Sequence, residues 1–219
     1  MSKQSTDFYN EIKQVGKATF IAGLNNSYSG NFSVRISEAG NNILIKRRGA
    51  MMGFLKNSDI LKITLSPNDK QLKLASTEAR IHQAILRNST ARAVLHTHPS
   101  YATVLGLEEK EIKPINVESA YYLENIPVLV FDKASASKEM EETLPEYLKK
   151  YRVVVIRGHG VFAVGQTLGE ALKYTHSAED AAQIIYLSRM LGFNINKLVR
   201  AKYLHFPRLD TPKAFGERE

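Results

Sequence analysis

VVVIRGHGVFAVGQTLGEAL, residues 153–172, is the stretch on which the reading of the whole chain turns. Residues 153–157 form a continuous β-branched apolar run, the pattern of a strand buried on both faces. Gly158, His159 and Gly160 break it, and GVFAVG (160–165) resumes an extended pattern. The flanking glycines permit a sharp turn and close backbone approach. Thr167 with Glu170 three residues on makes a capping box that opens a helix to about Leu191. His159 therefore sits at a strand end, the place where α/β folds carry chemistry. It is either a locally bonded turn residue or a functional group.

ARAVLHTH (91–98) is a second β-like run, ending in two histidines. On a strand, residues i and i+2 share a face, so His96 and His98 project together and Thr97 turns away. That spacing lets two imidazoles bind one ion at about 2.0–2.1 Å each. The other reading is a surface turn. With His159 added, His96 and His98 make a three-histidine set with open positions, which suits a catalytic ion. His82, His176 and His205 lie in helices or the tail, and His82 and His176 read as helix-surface or packing residues.

Further out, residues 6–22 carry apolar residues at helical spacing and close at Gly23. NFSVRI (31–36) and NNILIK (41–46) read as a hairpin around Glu38–Gly40. ILKITL (60–65) and QLKLA (71–75) read as another pair. STEARIHQAILRN (76–88) reads as a helix whose leading hydroxyls can cap it. Glu78, in its first turn, is either favourable charge at a helix N-terminus or a general base. A short helix is expected at Tyr101–Leu105, a strand at PVLVF (127–131), a helix at 137–151 and a loop from Leu107 to Pro127. The order predicts one α/β domain over residues 1–219, a three-layer α/β/α sandwich on a mixed, largely antiparallel sheet. The tail 203–219 is expected to be loose or docked on a neighbouring subunit.

Composition sets the outer limits. At 43% hydrophobic and 24% charged, the 219 residues can bury a core without staples. The absence of cysteine removes thiol nucleophiles, Cys-ligated zinc and disulfides, and fits a reducing cytosol. The first residues are polar and no apolar run nears the roughly 20 residues of a membrane span, so a cytoplasmic protein is expected. The net charge of +8 suits nucleic acid or a small anionic substrate. Basic residues are scattered apart from Lys46-Arg47-Arg48, with no stacking or zinc-finger pattern, which favours the small anion over nucleic acid.

Four segments together, GLNNSYSGNFSVR (23–35), STEARIHQAILRN (76–88), AVLHTHPSYATVLG (93–106) and VVVIRGHGVFAVGQTLGEAL (153–172), resemble the class II aldolase/adducin family. The resemblance spans about residues 6 to 192. It implies zinc, or another divalent cation such as manganese or cobalt, on His96, His98 and His159, with Glu78 as acid/base. It implies an anion pocket from Gly30 and Asn31, Gly49, Ser76 and Thr77, and a homotetramer with active sites at subunit interfaces. The activity implied is retro-aldol cleavage of a phosphorylated ketose, fuculose 1-phosphate-like, through a metal-stabilised enediolate. The alternatives within the family are a methylthioribulose-1-phosphate-type dehydratase and an adducin-like scaffold; the full histidine set weighs against the scaffold.

The chain departs from the family pattern in three places. Arg48 replaces a hydroxyl that would touch phosphate; an arginine can grip phosphate, grip a second anionic group, or sit on an exposed basic loop. The tyrosine that some aldolases lend from the next subunit falls near Val117, with Tyr121 and Tyr122 close but not aligned. The Leu107–Pro127 stretch, which contains Glu118, lacks an epimerase pattern.

Overall fold

A computed structural model describes residues 3–37 and 40–204. The expected hairpin turn at residues 38 and 39, His205 and the rest of the tail lie outside the described residues. The helix α1 (Lys3–Ile21) leads into β1 (Asn31–Arg35), β2 (Asn42–Lys46) and β3 (Ile60–Thr64). Then come α2 (Ala79–Arg87), β4 (Ala93–Thr97), α3 (Ser100–Gly106), β5 (Glu111–Ile112), α4 (Val117–Tyr122) and β6 (Ile126–Leu129). The chain continues with α5 (Lys138–Leu148), β7 (Val153–Ile156), β8 (Gly160–Gly165), α6 (Leu168–Met190) and α7 (Ile195–Leu198).

The strands form one eight-stranded sheet in the order β3-β2-β1-β4-β8-β7-β6-β5. Every pairing is antiparallel except β6 with β7, which α5 joins as a crossover. Alternation sends Phe32, Val34, Leu95, Val155 and Ala163 to a layer shared with α1, α3 and α6. Ile43, Ile45, Val94, Val154 and Val164 go to the opposite layer, with Ile81 and Ile85 of α2 and Leu144 of α5. Helices thus cover both faces, the expected three-layer sandwich. No helix among the described residues is long and apolar enough to cross a membrane.

Local chemistry sets the ends that matter for the site. The Thr167 hydroxyl accepts from the Glu170 N–H at 3.0 Å, while the Glu170 carboxylate accepts from the Gln166 N–H at 2.7 Å. Glu179 of α6 accepts the Tyr101 and Ala102 N–H groups at 3.0 and 2.8 Å, fixing α3 directly after the histidine pair. Arg157 donates to the Gly106 and Glu109 carbonyls and holds the other end of α3.

Three expectations need correction. QLKLA is not a strand: residues 70–74 form a 3-10 turn, and only Ala75 bridges, to Arg47. Asp69 diverts the chain by accepting from the Thr64 and Gln71 N–H groups at 2.7 and 2.8 Å. The expected cap, Ser76 or Thr77, is not the N-cap of α2: the helix begins at Ala79 with Glu78 in that place and no side-chain cap bond, and residues 76–78 line a cleft. The Leu107–Pro127 stretch is not a plain loop; it holds β5 and α4.

Candidate active site

The sheet register brings the predicted histidines together. His96 is the penultimate residue of β4, and Asn31 at the start of β1 and Phe162 near the start of β8 are its two neighbours. His159 occupies the β7–β8 turn, where its N–H donates to the Ile156 carbonyl at 3.0 Å. Gly160 makes the approach possible: a Cβ there would lie 2.3 Å from the Thr97 carbonyl oxygen and 2.7 Å from the His98 ring. The His98 N–H is held by the Leu24 carbonyl at 2.9 Å and by Asn25 Oδ1 at 3.1 Å. The Asn25 side chain in turn fills the space where a Cβ of Gly30 would stand, and Gly30 adopts φ +75°.

His96, His98 and His159 each present a ring nitrogen, all within 4.8 Å of one another. His98 Nε2 and His159 Nε2 are 3.1 Å apart. His96 is fully buried and stacks on Phe162 at 4.1 Å between ring centroids. Its Nδ1 lies 2.9 Å from the Val161 carbonyl, an acceptor only, so Nδ1 carries the hydrogen and Nε2 presents a lone pair. Burial, and then the neighbouring His159, hold His96 well below the usual histidine range; burial, then His96 and His159, push His98 down to about 3. These two rings are neutral at pH 7, the form that ligates metals.

The chemistry of the donor set fits a divalent cation. His96 Nε2 faces Glu78 Oε2 at 3.2 Å with no hydrogen between them, two lone pairs opposed. Among the described residues, His96 Nε2 and Glu78 Oε1 are buried polar atoms without a hydrogen-bond partner. A cation held by the three imidazoles, with the carboxylate nearby, removes both deficits.

Beside the histidines lies a cleft of about 180 Å³, lined among others by Gly30, Asn31, Lys46, Arg48, Gly49, Ser76, Thr77, Glu78, His98 and His159. All ten site residues anticipated from the sequence therefore fall in one place, since His96 touches Glu78 directly. The loops that build the cleft are zipped together: Arg48 N–H donates to the Leu74 carbonyl at 2.9 Å and Ser76 N–H to the Lys46 carbonyl at 3.0 Å. Arg48 is exposed, its Nε on the Ala75 carbonyl at 3.3 Å.

Two residues beside the histidines take places that the sequence did not indicate. Lys46 is buried, and its ammonium donates to the Tyr28 carbonyl at 3.1 Å, with two further hydrogens for a ligand. Burial lowers its pKa to about 8 against the opposing pull of Asp59. His82 is not at the surface: it is fully buried and bonded to Ser33 and Asn31. Its one trace in the sequence was its place four residues, about one helical turn, after Glu78. Ser135, from the segment before α5, also lines the cleft.

Residues 10–186 match the family model described as "Class II Aldolase and Adducin N-terminal domain". The chain is 29% identical over 163 residues to the L-fuculose phosphate aldolase of Methanocaldococcus jannaschii, covering 74% of this chain and 86% of that one. It is 31% identical over 186 residues to the methylthioribulose-1-phosphate dehydratase of Hahella chejuensis, covering 77% and 88%. The crystal structure of L-fuculose-1-phosphate aldolase from Thermus thermophilus superposes with a TM-score of 0.80 at 33% identity, over 85% of this chain and 96% of that one.

Proposed function

The chain belongs to the class II aldolase and adducin N-terminal domain family, and from that premise we propose that it is a divalent-metal aldolase cleaving a phosphorylated ketose of the fuculose 1-phosphate kind. The observation that carries this reading is the partnerless pair, His96 Nε2 and Glu78 Oε1, buried beside a cleft lined by hydroxyls and cations.

His96, His98 and His159 would hold the cation, zinc or another divalent ion such as manganese or cobalt. When bound, it supplies a Lewis acid that stabilises negative charge on the substrate's carbonyl and adjacent oxygen. The Ser76 and Thr77 hydroxyls, the Lys46 ammonium, the Arg48 guanidinium and the N–H groups at Gly30 and Gly49 hold the phosphate. Asn31 contributes one amide hydrogen at most, because its oxygen faces His82 and its nitrogen already donates to Glu78. Fixing the phosphate aligns the scissile carbon–carbon bond over Glu78, and such positioning supplies several kcal/mol, on the order of 7–11 at best. When that bond breaks, an aldehyde leaves. As it leaves, the hydroxyl that becomes the aldehyde oxygen gives its proton to Glu78 Oε1, which passes it to the carbon that keeps the electron pair; both transfers reverse in the condensation direction.

A homotetramer with sites at subunit boundaries is part of the same proposal. What supports it is the exposure of Tyr28, Arg48, Thr77 and Ser135 on the cleft rim, where a neighbour could close it.

The test is direct. The metal-loaded protein, given fuculose 1-phosphate and related ketose 1-phosphates, is expected to release a three-carbon ketone phosphate and an aldehyde. The likeness to the Hahella dehydratase keeps one second reading, loss of water from the same kind of substrate at the same site. An unsplit diketone phosphate would establish that reading, and no conversion of any phosphorylated ketose would overturn both.

A further inference from the structure

We infer that His82 is a positioning residue of the active site: acting through Asn31, it turns the Glu78 carboxylate so that Oε1 is the oxygen left free for the proton. This rests on the role given to Glu78 above.

Bonding rules fix every link of the chain. A carboxylate only accepts, so the Asn31 atom 3.0 Å from Glu78 Oε2 is the amide nitrogen. The Asn31 oxygen then faces His82 Nε2 at 2.5 Å and must accept, so His82 carries its hydrogen on Nε2. His82 Nδ1 is therefore bare, and it accepts from the Ser33 hydroxyl at 2.8 Å. Turning the Asn31 amide over would set its oxygen against the carboxylate and its NH2 against the His82 N–H. The ring is neutral, because burial lowers its pKa to about 4 against the pull of Glu78.

The relay has a consequence at the other end. Glu78 Oε2 is occupied by Asn31 at 3.0 Å and lies 3.2 Å from His96 Nε2. Among the described residues Glu78 Oε1 has no hydrogen-bond partner, and it is 3.9 Å from His159 Nε2. One oxygen is anchored and the other is free. His82 lies one turn after Glu78, the N-cap of α2, and its N–H donates to the Glu78 carbonyl at 3.1 Å, so backbone and side chain are tied together. His82 is absent from the cleft lining and acts only through its neighbours.

The experiment has two readouts. Nitrogen-15 histidine NMR of the zinc-loaded protein should find His82 as the Nε2–H tautomer; the Nδ1–H tautomer would overturn the inference by itself. Beside it, His82→Leu removes the donor at similar volume, and His82→Gln restores an N–H toward Asn31 and an acceptor toward Ser33. His82→Leu is expected to keep its metal and its KM within about twofold and to lose kcat by about 10- to 100-fold, the usual range for groups that orient a site. His82→Gln should recover most of that loss. Wild-type kcat in folded, metal-loaded His82→Leu would overturn the inference. Should His82→Leu not fold, the tautomer and His82→Gln decide. If the wild-type protein cleaves no ketose phosphate, the proposed function falls while the tautomer result stands.

Discussion

Strand β1 looks into two unlike layers. Phe32 and Val34 enter a layer of packed apolar residues under α1, α3 and α6. Asn31 and Ser33, one residue away along the same strand, enter the α2 side and meet His82, Glu78 and, across the register, His96. One face serves stability through packing. The other embeds a polar thread in an apolar layer, where each group needs a partner to offset its desolvation. The two faces should therefore fail differently when disturbed.

The hardest break is at the metal end of the polar thread. His96→Ala should lose bound metal and turnover together, the latter by about a thousandfold or more, since Lewis-acid stabilisation is worth several kcal/mol. Elemental analysis beside steady-state rates checks this. Glu78→Gln should keep its metal and lose turnover by about 10²–10⁴, the span of one acid/base group. On the apolar face, Phe32→Ala should cost about 3–5 kcal/mol in denaturant unfolding, with metal per folded chain unchanged. Loss of metal at equal folding would break the separation of the faces.

A pH experiment sharpens the contrast. His82 has a folded pKa of about 4 against a usual 6.5, so below pH 6.5 the unfolded chain binds a proton that the folded chain does not. Its contribution is present above pH 6.5 and is lost as pH falls toward 4, a change on the order of 3 kcal/mol. His82→Gln should flatten the stability–pH curve of the metal-free protein across that window by about one proton, while Phe32→Ala should shift the curve without changing its slope. The smallest effect is at the cleft rim: Thr77→Ala should raise KM for phosphorylated substrate by about tenfold or less with kcat kept, read from initial rates.

Much of this was legible beforehand because it repeats simple periods. The two-residue period of β4 put His96 and His98 on one side, and the glycine-flanked turn at His159 announced a close approach. The hidden parts depended on tertiary contacts. QLKLA has strand-like alternation, but the Asp69 carboxylate holds the backbone before it in a turn. β5 is two residues long and α4 six, too short for either to show a period. Lys46 looked like one member of a basic run, and its burial follows from the zipped loops 46–49 and 74–78. His82 looked like a lone helix histidine; its partners, Ser33 and Asn31, lie 49 and 51 residues away.

The central claim is that three imidazoles and one carboxylate form a working metal centre. The most direct test is metal content of the purified protein beside His159→Ala. The account predicts about one divalent ion per chain in the wild type, lost in the variant together with ketose phosphate cleavage. A wild-type protein that holds no metal and gains none from zinc, manganese or cobalt, or a metal-free His159→Ala variant that cleaves ketose phosphate as well as the wild type, would contradict it.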